Sequence, residues 1–304
     1  MLTIFLTITP IFLIILFGFG FKRTGFPGND FWEPAERLAF YVLLPALLVH
    51  NLAVADLGGL EVGRIVATVL SLATVMTAAV VVLKPLLGID GAAFTSVLQG
   101  TIRLNAYLGF AVAEAFFGAP GLTITAVMVA IMMPLVNIIS IGAMAIWAGT
   151  ARPEWKRIAR QIATNPLILA CVLGAALNVL QLEPPGWIMG VFKIVSSAAL
   201  PIALLCVGAG LDIEVGRTRR GVMALTCGLK LAVMPLAAFF IARALGIDGL
   251  TLTVMVVFAG TAGSPAAYIL SRQLGGDAPL MAGILTVETA LTALTLPVIL
   301  ALVM

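Results

Sequence analysis

A chain of 304 residues that is 62% hydrophobic and 10% charged, with a mean hydropathy of +1.16 and a net charge of +3, is far more apolar than the roughly half-apolar, quarter-charged composition of soluble domains. That balance excludes a soluble globular protein and points to a polytopic all-α membrane protein with the lipid bilayer as its solvent. No basic patch suited to nucleic acid is present, and Cys171, Cys206 and Cys227, all inside apolar segments, lack disulfide or metal-site spacing and read as packing residues.

Hydropathy, punctuated by glycine, proline and charge, predicts spanning helices at 2–21, 35–54, 62–83, 92–117, 121–149, 162–181, 187–211, 220–244, 249–271 and 279–303. Residues 1–21 lack the basic start and cleavage site of a signal peptide and are read as the first helix. The tightest connection is Gly118-Ala119-Pro120-Gly121, between the fourth and fifth. One set of alternate loops holds Lys22, Arg23, Lys84, Arg152, Lys156, Arg157, Arg160, Arg217, Arg219, Arg220 and Arg272, with Arg37 at the adjoining helix start. The other set holds Arg64 and Arg243. Basic loops stay in the cytoplasm, so the expectation is a multi-pass protein of the inner (plasma) membrane with both termini on the outer side.

The order of residues repeats. Pro10 and Pro166, Gly18 and Gly174, Pro45 and Pro201, and Asp56 and Asp212 are each separated by 156 positions. Leu87-Gly88-Ile89-Asp90-Gly91 returns as Leu245-Gly246-Ile247-Asp248-Gly249, and Gly100-Thr101 as Gly260-Thr261. The expected division is a first five-helix repeat over 1–149, a cytoplasmic linker over 150–161 and a second repeat over 162–304. An odd number of helices per repeat inverts the second copy, an arrangement characteristic of secondary transporters with substrate sites on interrupted helices.

The fourth and ninth segments carry such interruptions, Gln99-Gly100-Thr101-Ile102-Arg103-Leu104-Asn105-Ala106-Tyr107 and Gly260-Thr261-Ala262-Gly263-Ser264-Pro265-Ala266-Ala267-Tyr268. Small, polar and proline residues there free backbone groups that hydrocarbon cannot satisfy but a polar cavity can. Arg103, costly inside a membrane, suits a carboxylate; the alternatives are an internal ion pair with Glu114 or Glu288, or snorkelling. Asn105 offers two donors and an acceptor and is either a ligand contact or interhelical glue; Asn137, after Pro134, is a second candidate amide. Glu288 inside the tenth segment is expected to be paired or protonated, so it reads as a proton carrier or as half of a structural pair. Lys193 and Lys230 read as snorkelling or paired, and His50 as a packing histidine rather than a pH sensor. Nucleotide-binding loops, zinc helices and serine elbows are absent from the sequence, so neither catalytic residues nor a metal or cofactor is expected.

With those residues in view, the chain resembles the auxin efflux carrier family, whose bacterial members are often described as malonate or malate permeases. The likeness covers nearly the whole chain and rests on Leu44-Pro45-Ala46, Arg103-Leu104-Asn105-Ala106-Tyr107, Pro134 to Asn137, Asn165-Pro166, Leu200-Pro201, Ser264-Pro265-Ala266 and Gly275-Gly276-Asp277. It implies a scaffold of helices one, two, six and seven, and a transport domain of helices three to five and eight to ten. Helices four and nine would cross at the site, in a fold shared with bile-acid sodium symporters and some sodium/proton antiporters. Plant members export indole-3-acetate and dimerise through the scaffold, which implies a homodimer here with Pro45, Asn51 and Pro201 as scaffold contacts. Their ligand-site asparagines match Asn105 and Asn137. They carry proline at the position of Leu104, so a milder break in the fourth helix is expected in this chain.

The resulting expectation is an elevator-like secondary transporter of small carboxylates. Arg103, Asn105, Tyr107, Asn137 and Ser264 would contact the substrate, and Thr101, Gly260, Thr261 and Pro265 would shape the crossed backbone, with Glu288 as coupling candidate. A monovalent-cation/proton antiporter or sodium-coupled symporter on the same fold is the alternative, and a membrane sensor or intramembrane enzyme a third.

Overall fold

The computed structural model describes residues 2–55, 61–149, 155–182, 184–212 and 219–304, and among these it is helical, without strands. The chain opens with α1 (Leu2–Thr24). A 3-10 turn, Asn29–Phe31, leads into α2 (Trp32–Leu38), which passes through a π-helical turn, Ala39–Leu43, into α3 (Leu44–Ala53). Then come α4 (Val62–Leu87), α5 (Gly91–Ile102), α6 (Ala106–Trp147), α7 (Trp155–Ala163), α8 (Pro166–Val179), α9 (Gly186–Ser197) and α10 (Ala199–Ala209). After α11 (Arg220–Gly228) a second π turn, Leu229–Val233, joins α12 (Met234–Ala244), followed by α13 (Gly249–Ala259), α14 (Ala266–Gln273) and α15 (Ala278–Val303).

Local chemistry explains the punctuation. Each π turn ends two residues before a proline, Pro45 or Pro235, whose missing N–H and bulky ring a wider turn accommodates. Asp90, Asn165 and Asp277 cap α5, α8 and α15 by accepting backbone N–H groups from Ala93, Leu167 and Leu280 at 2.8, 3.0 and 2.9 Å. The long α6 turns sharply at Gly118, where φ is 58° and ψ is −147°, a conformation that a side chain would oppose.

Seven of these helical runs are long and apolar enough to cross a membrane, among them Gly91–Trp147, whose 57 residues suffice for two crossings joined at Gly118. Pro166–Val179 and Gly249–Ala259 are apolar but shorter. Helix occupies every segment expected from hydropathy. Asp56, Arg152 and Arg217 lie outside the described residues.

Helices α1 and α10 approach closely because Gly18 lies on the Leu205 backbone and Gly208 on that of Ile15; lipid offers apolar side chains no advantage in packing, so small residues make such contacts. Helix α3 packs along α8 and α9, and Asn178 Nδ2 ties the end of α8 to the Ala53 and Ala55 carbonyls at 3.1 and 2.7 Å. Large apolar side chains such as Val82, Leu86, Ile194 and Leu302 face outward. Residues 93–113 and 254–263, by contrast, are all buried, so the two interrupted segments form the centre of the molecule.

Candidate functional site

The helix ending at Ile102 resumes only at Ala106. Arg103 (φ −78°, ψ 144°) and Asn105 (φ −83°, ψ 99°) are extended, so the break is complete without a proline at position 104, not the milder one expected. A backbone bond across the molecule takes proline's place in holding the segment open: the Asn105 N–H donates to the Ala262 carbonyl at 2.9 Å. Ala262 belongs to the second break, between Gly260, which ends α13, and Pro265, which opens α14. Thr101 and Thr261 turn their hydroxyls back onto the Val97 and Phe258 carbonyls at 3.0 and 2.8 Å, satisfying groups within each segment.

Arg103 is 4% exposed. Its Nη2 donates to Asn137 Oδ1 at 2.7 Å and its Nε faces Ser140 Oγ at 3.4 Å, so neutral side chains from the far half of α6 hold the guanidinium. No carboxylate among the described residues lies within 4.0 Å of it. Of the two ion-pair partners considered, Glu114 is exposed and Glu288 is engaged elsewhere. Asn105 accepts the Leu108 N–H through Oδ1 at 3.2 Å, capping α6, while its buried Nδ2 has no partner among the described residues. The breaks thus present an uncompensated guanidinium and an unused amide donor in a site closed to bulk water, a combination suited to an anion.

Tyr107 and Ser264 lie beside this pair, on the wall of a cavity of about 600 Å³. Its lining also includes Glu33, Glu36, Arg37, Tyr41, Tyr268 and Arg272, whereas Arg103, Asn105 and Asn137 do not line it. The chain's three tyrosines, Tyr41, Tyr107 and Tyr268, all border this one space. Sequence reasoning missed Glu33, just before the second predicted span, and Glu36, at its start.

Glu288 sits on α15, fully buried, and accepts the Gly263 N–H through Oε2 at 2.8 Å; its Oε1 has no partner among the described residues. Lys230, on the second π turn, is also fully buried, with the Met234 sulfur 3.2 Å from its Nζ, and it interacts electrostatically with Glu288. Arg219 bridges the two aspartates that cap α5 and α15, reaching Asp90 at 2.8 Å and Asp277 at 3.7 Å. The Ala93 N–H, then the Arg219 guanidinium, hold the Asp90 carboxyl below its ordinary range. Among the described residues no group of three His, Cys, Asp or Glu side chains could hold a metal ion.

A family model described as "Membrane transport protein" matches residues 3–300. The chain belongs to this family. The match bears out the resemblance to auxin efflux carriers, which fall within the same membrane transport family. A relative from Methanothermobacter thermautotrophicus, described as an uncharacterized transporter, is 24% identical over 300 residues, spanning 96% of this chain and 95% of the relative.

In this membrane transport protein the remaining expected residues lie apart from the breaks. Pro45 is half-buried beside an apolar groove that it shares with Pro166 and Val191, Asn51 Nδ2 donates to the Leu47 carbonyl of its own helix at 2.8 Å, and Pro201 is exposed. His50 is half-buried with Nδ1 unpartnered, Lys193 is exposed, and the three cysteines are unpaired.

Proposed function

We propose that this membrane transport protein is a secondary transporter of small organic anions, carboxylates in the class of malonate, malate or indole-3-acetate, that works by elevator-like alternating access. The observation that carries the reading is Arg103: a buried guanidinium held by neutral Asn137 and Ser140, with the unpartnered Asn105 Nδ2 nearby on the same break. A bound carboxylate supplies the missing charge and accepts from both residues. Tyr107 and Ser264 on the cavity wall mark the approach, and a cavity of about 600 Å³ suits a small molecule.

Two inverted five-helix repeats with crossed helices are part of the proposal. The breaks fall in the equivalent fourth and ninth segments and meet through Asn105 and Ala262, which supports that arrangement. Contacts of α1 with α10 and of α3 with α8 and α9 support a scaffold of helices one, two, six and seven, through which a homodimer would form. The asymmetry of basic loops supports an inner (plasma) membrane location with both termini outside. Glu288, buried and partly unpartnered, is the coupling candidate; the same observation favours the second reading, cation/proton antiport on the same fold.

The test is a panel of malonate, malate and indole-3-acetate, applied first for thermal stabilisation of the purified protein and then for uptake into proteoliposomes. Stabilisation and uptake by at least one, both lost in Arg103→Ala, is the expected result. Sodium or proton exchange with no response to any carboxylate would overturn the anion reading.

A further inference from the structure

One amide plane touches both halves of the buried machinery. The Gly263 N–H donates to Glu288 Oε2 at 2.8 Å, and the carbonyl at the other end of that peptide, Ala262 C=O, accepts the Asn105 N–H at 2.9 Å. Glu288 is wedged at this point: a Cβ on Gly263 would lie 2.8 Å from its Oε2, and one on Gly100 would lie 3.7 Å from its Oε1. Among the described residues Oε1 has no hydrogen-bond partner, and the buried amine of Lys230 has for a hydrogen-bond neighbour only the Met234 thioether, a weak acceptor.

We propose that the 262–263 peptide transmits the charge state of the Glu288–Lys230 pair to Asn105, and through it to the Arg103 site. A carboxylate that accepts an N–H makes a bond roughly twice as strong as a neutral acceptor does, and chained hydrogen bonds polarise one another. With Glu288 ionised, the 262–263 amide is polarised and its carbonyl grips the Asn105 N–H. Protonation adds one proton from solvent to Oε1 and converts the Gly263 bond to an ordinary neutral one. The grip on Asn105 then loosens, and the residue that caps α6 gains freedom. Among the described residues, Lys230 and the Cys227 thiol are the titratable groups that act on Glu288. The consequence for a ligand rests on the anion-site reading above, whereas the link itself does not.

The test therefore uses no ligand. Ser264→Cys, on the cavity wall next to Gly263, and Tyr268→Cys, on the same wall one turn into α14, are each placed in a background with Cys171, Cys206 and Cys227 replaced by alanine, which also removes the neighbouring thiol. Their alkylation rates with N-ethylmaleimide are measured in purified protein from about pH 6 to about pH 9, each is corrected for the thiolate fraction of its own cysteine, and the ratio of the corrected rates is followed. The ratio is expected to change by about threefold or more in a single-proton transition, equivalent to part of one net hydrogen bond. Glu288→Gln is expected to abolish the transition and Lys230→Met to move its midpoint. A flat ratio in the parent, an unchanged transition in Glu288→Gln, or an unmoved midpoint in Lys230→Met would each overturn the link. If Glu288→Gln does not fold, the parent and Lys230→Met decide. Loss of carboxylate transport with the pH response intact would condemn the anion reading and leave the link standing.

Discussion

Replacing Arg103 by alanine separates binding from folding in a way that can be estimated. In the ligand-free protein the truncation removes one good charge-assisted hydrogen bond, to Asn137 at 2.7 Å, worth about 1.5–3 kcal/mol. It also removes a charge with no carboxylate within 4.0 Å among the described residues, and a charge at the centre of a membrane helix costs about 2.5–3.5 kcal/mol. The two nearly cancel, so the melting temperature of the ligand-free protein is expected to move little. With a carboxylate bound, the variant leaves a buried anion unpaired, at a cost of about 3–5 kcal/mol. At about 1.4 kcal/mol per decade that is a loss of affinity between about a hundredfold and a few thousandfold. Calorimetric titration of the purified protein with the carboxylate that stabilises wild type reads the affinity, and a melt without ligand reads the fold. Arg103→Lys should recover only part of the affinity, since an ammonium lacks the bidentate fork. Binding by Arg103→Ala within about threefold of wild type would sink the anion site, and a fall of more than about 10 °C in the ligand-free melt would make Arg103 a structural anchor instead.

If Glu288 carries the driving proton, Glu288→Gln should leave counterflow exchange intact and abolish accumulation driven by an imposed pH gradient; wild-type gradient dependence in the variant would exclude the residue from coupling. Single cysteines at Gly59 and Thr218 should react with impermeant maleimide in intact cells and only after permeabilisation, respectively, and the reverse pattern would invert the topology. The Asp90 carboxyl, depressed by Ala93 and Arg219, contributes stability above its unfolded pKa that is lost as pH falls through its folded value. Arg219→Ala should therefore move the acid limb of a melting-temperature profile to higher pH with little change at neutrality, since exposed pairs contribute about 0.2–1 kcal/mol, and an unshifted limb would refute the pairing.

The helical runs and both breaks were legible because glycine, proline and polar residues in an apolar chain have few structural uses besides interruption. The site within them was half legible. Arg103 and Asn105 announced themselves as costly residues in hydrocarbon, but the pairing of Arg103 with Asn137, 34 positions away, depends on the turn at Gly118 that folds α6 back. Lys230 was harder: apolar residues surround it on every face, so periodicity cannot tell a lipid-facing lysine from a buried one. The π turn beneath it also rotates the helix away from the regular 3.6-residue register. The completeness of the first break escaped because it depends on a bond to Ala262, 157 residues downstream of Asn105, rather than on a proline at 104.

The convergence of Tyr41, Tyr107 and Tyr268 on one cavity gives the protein a built-in spectroscopic reporter. Uniform replacement of tyrosine by 3-fluorotyrosine would yield three fluorine resonances, every one of them from the wall of that space. Tyr41 comes from the turn before Pro45, Tyr107 from the start of α6 and Tyr268 from α14, so the three signals sample three elements at once. Relative movement of those elements would appear as exchange broadening or splitting against an otherwise silent background, without a single engineered substitution.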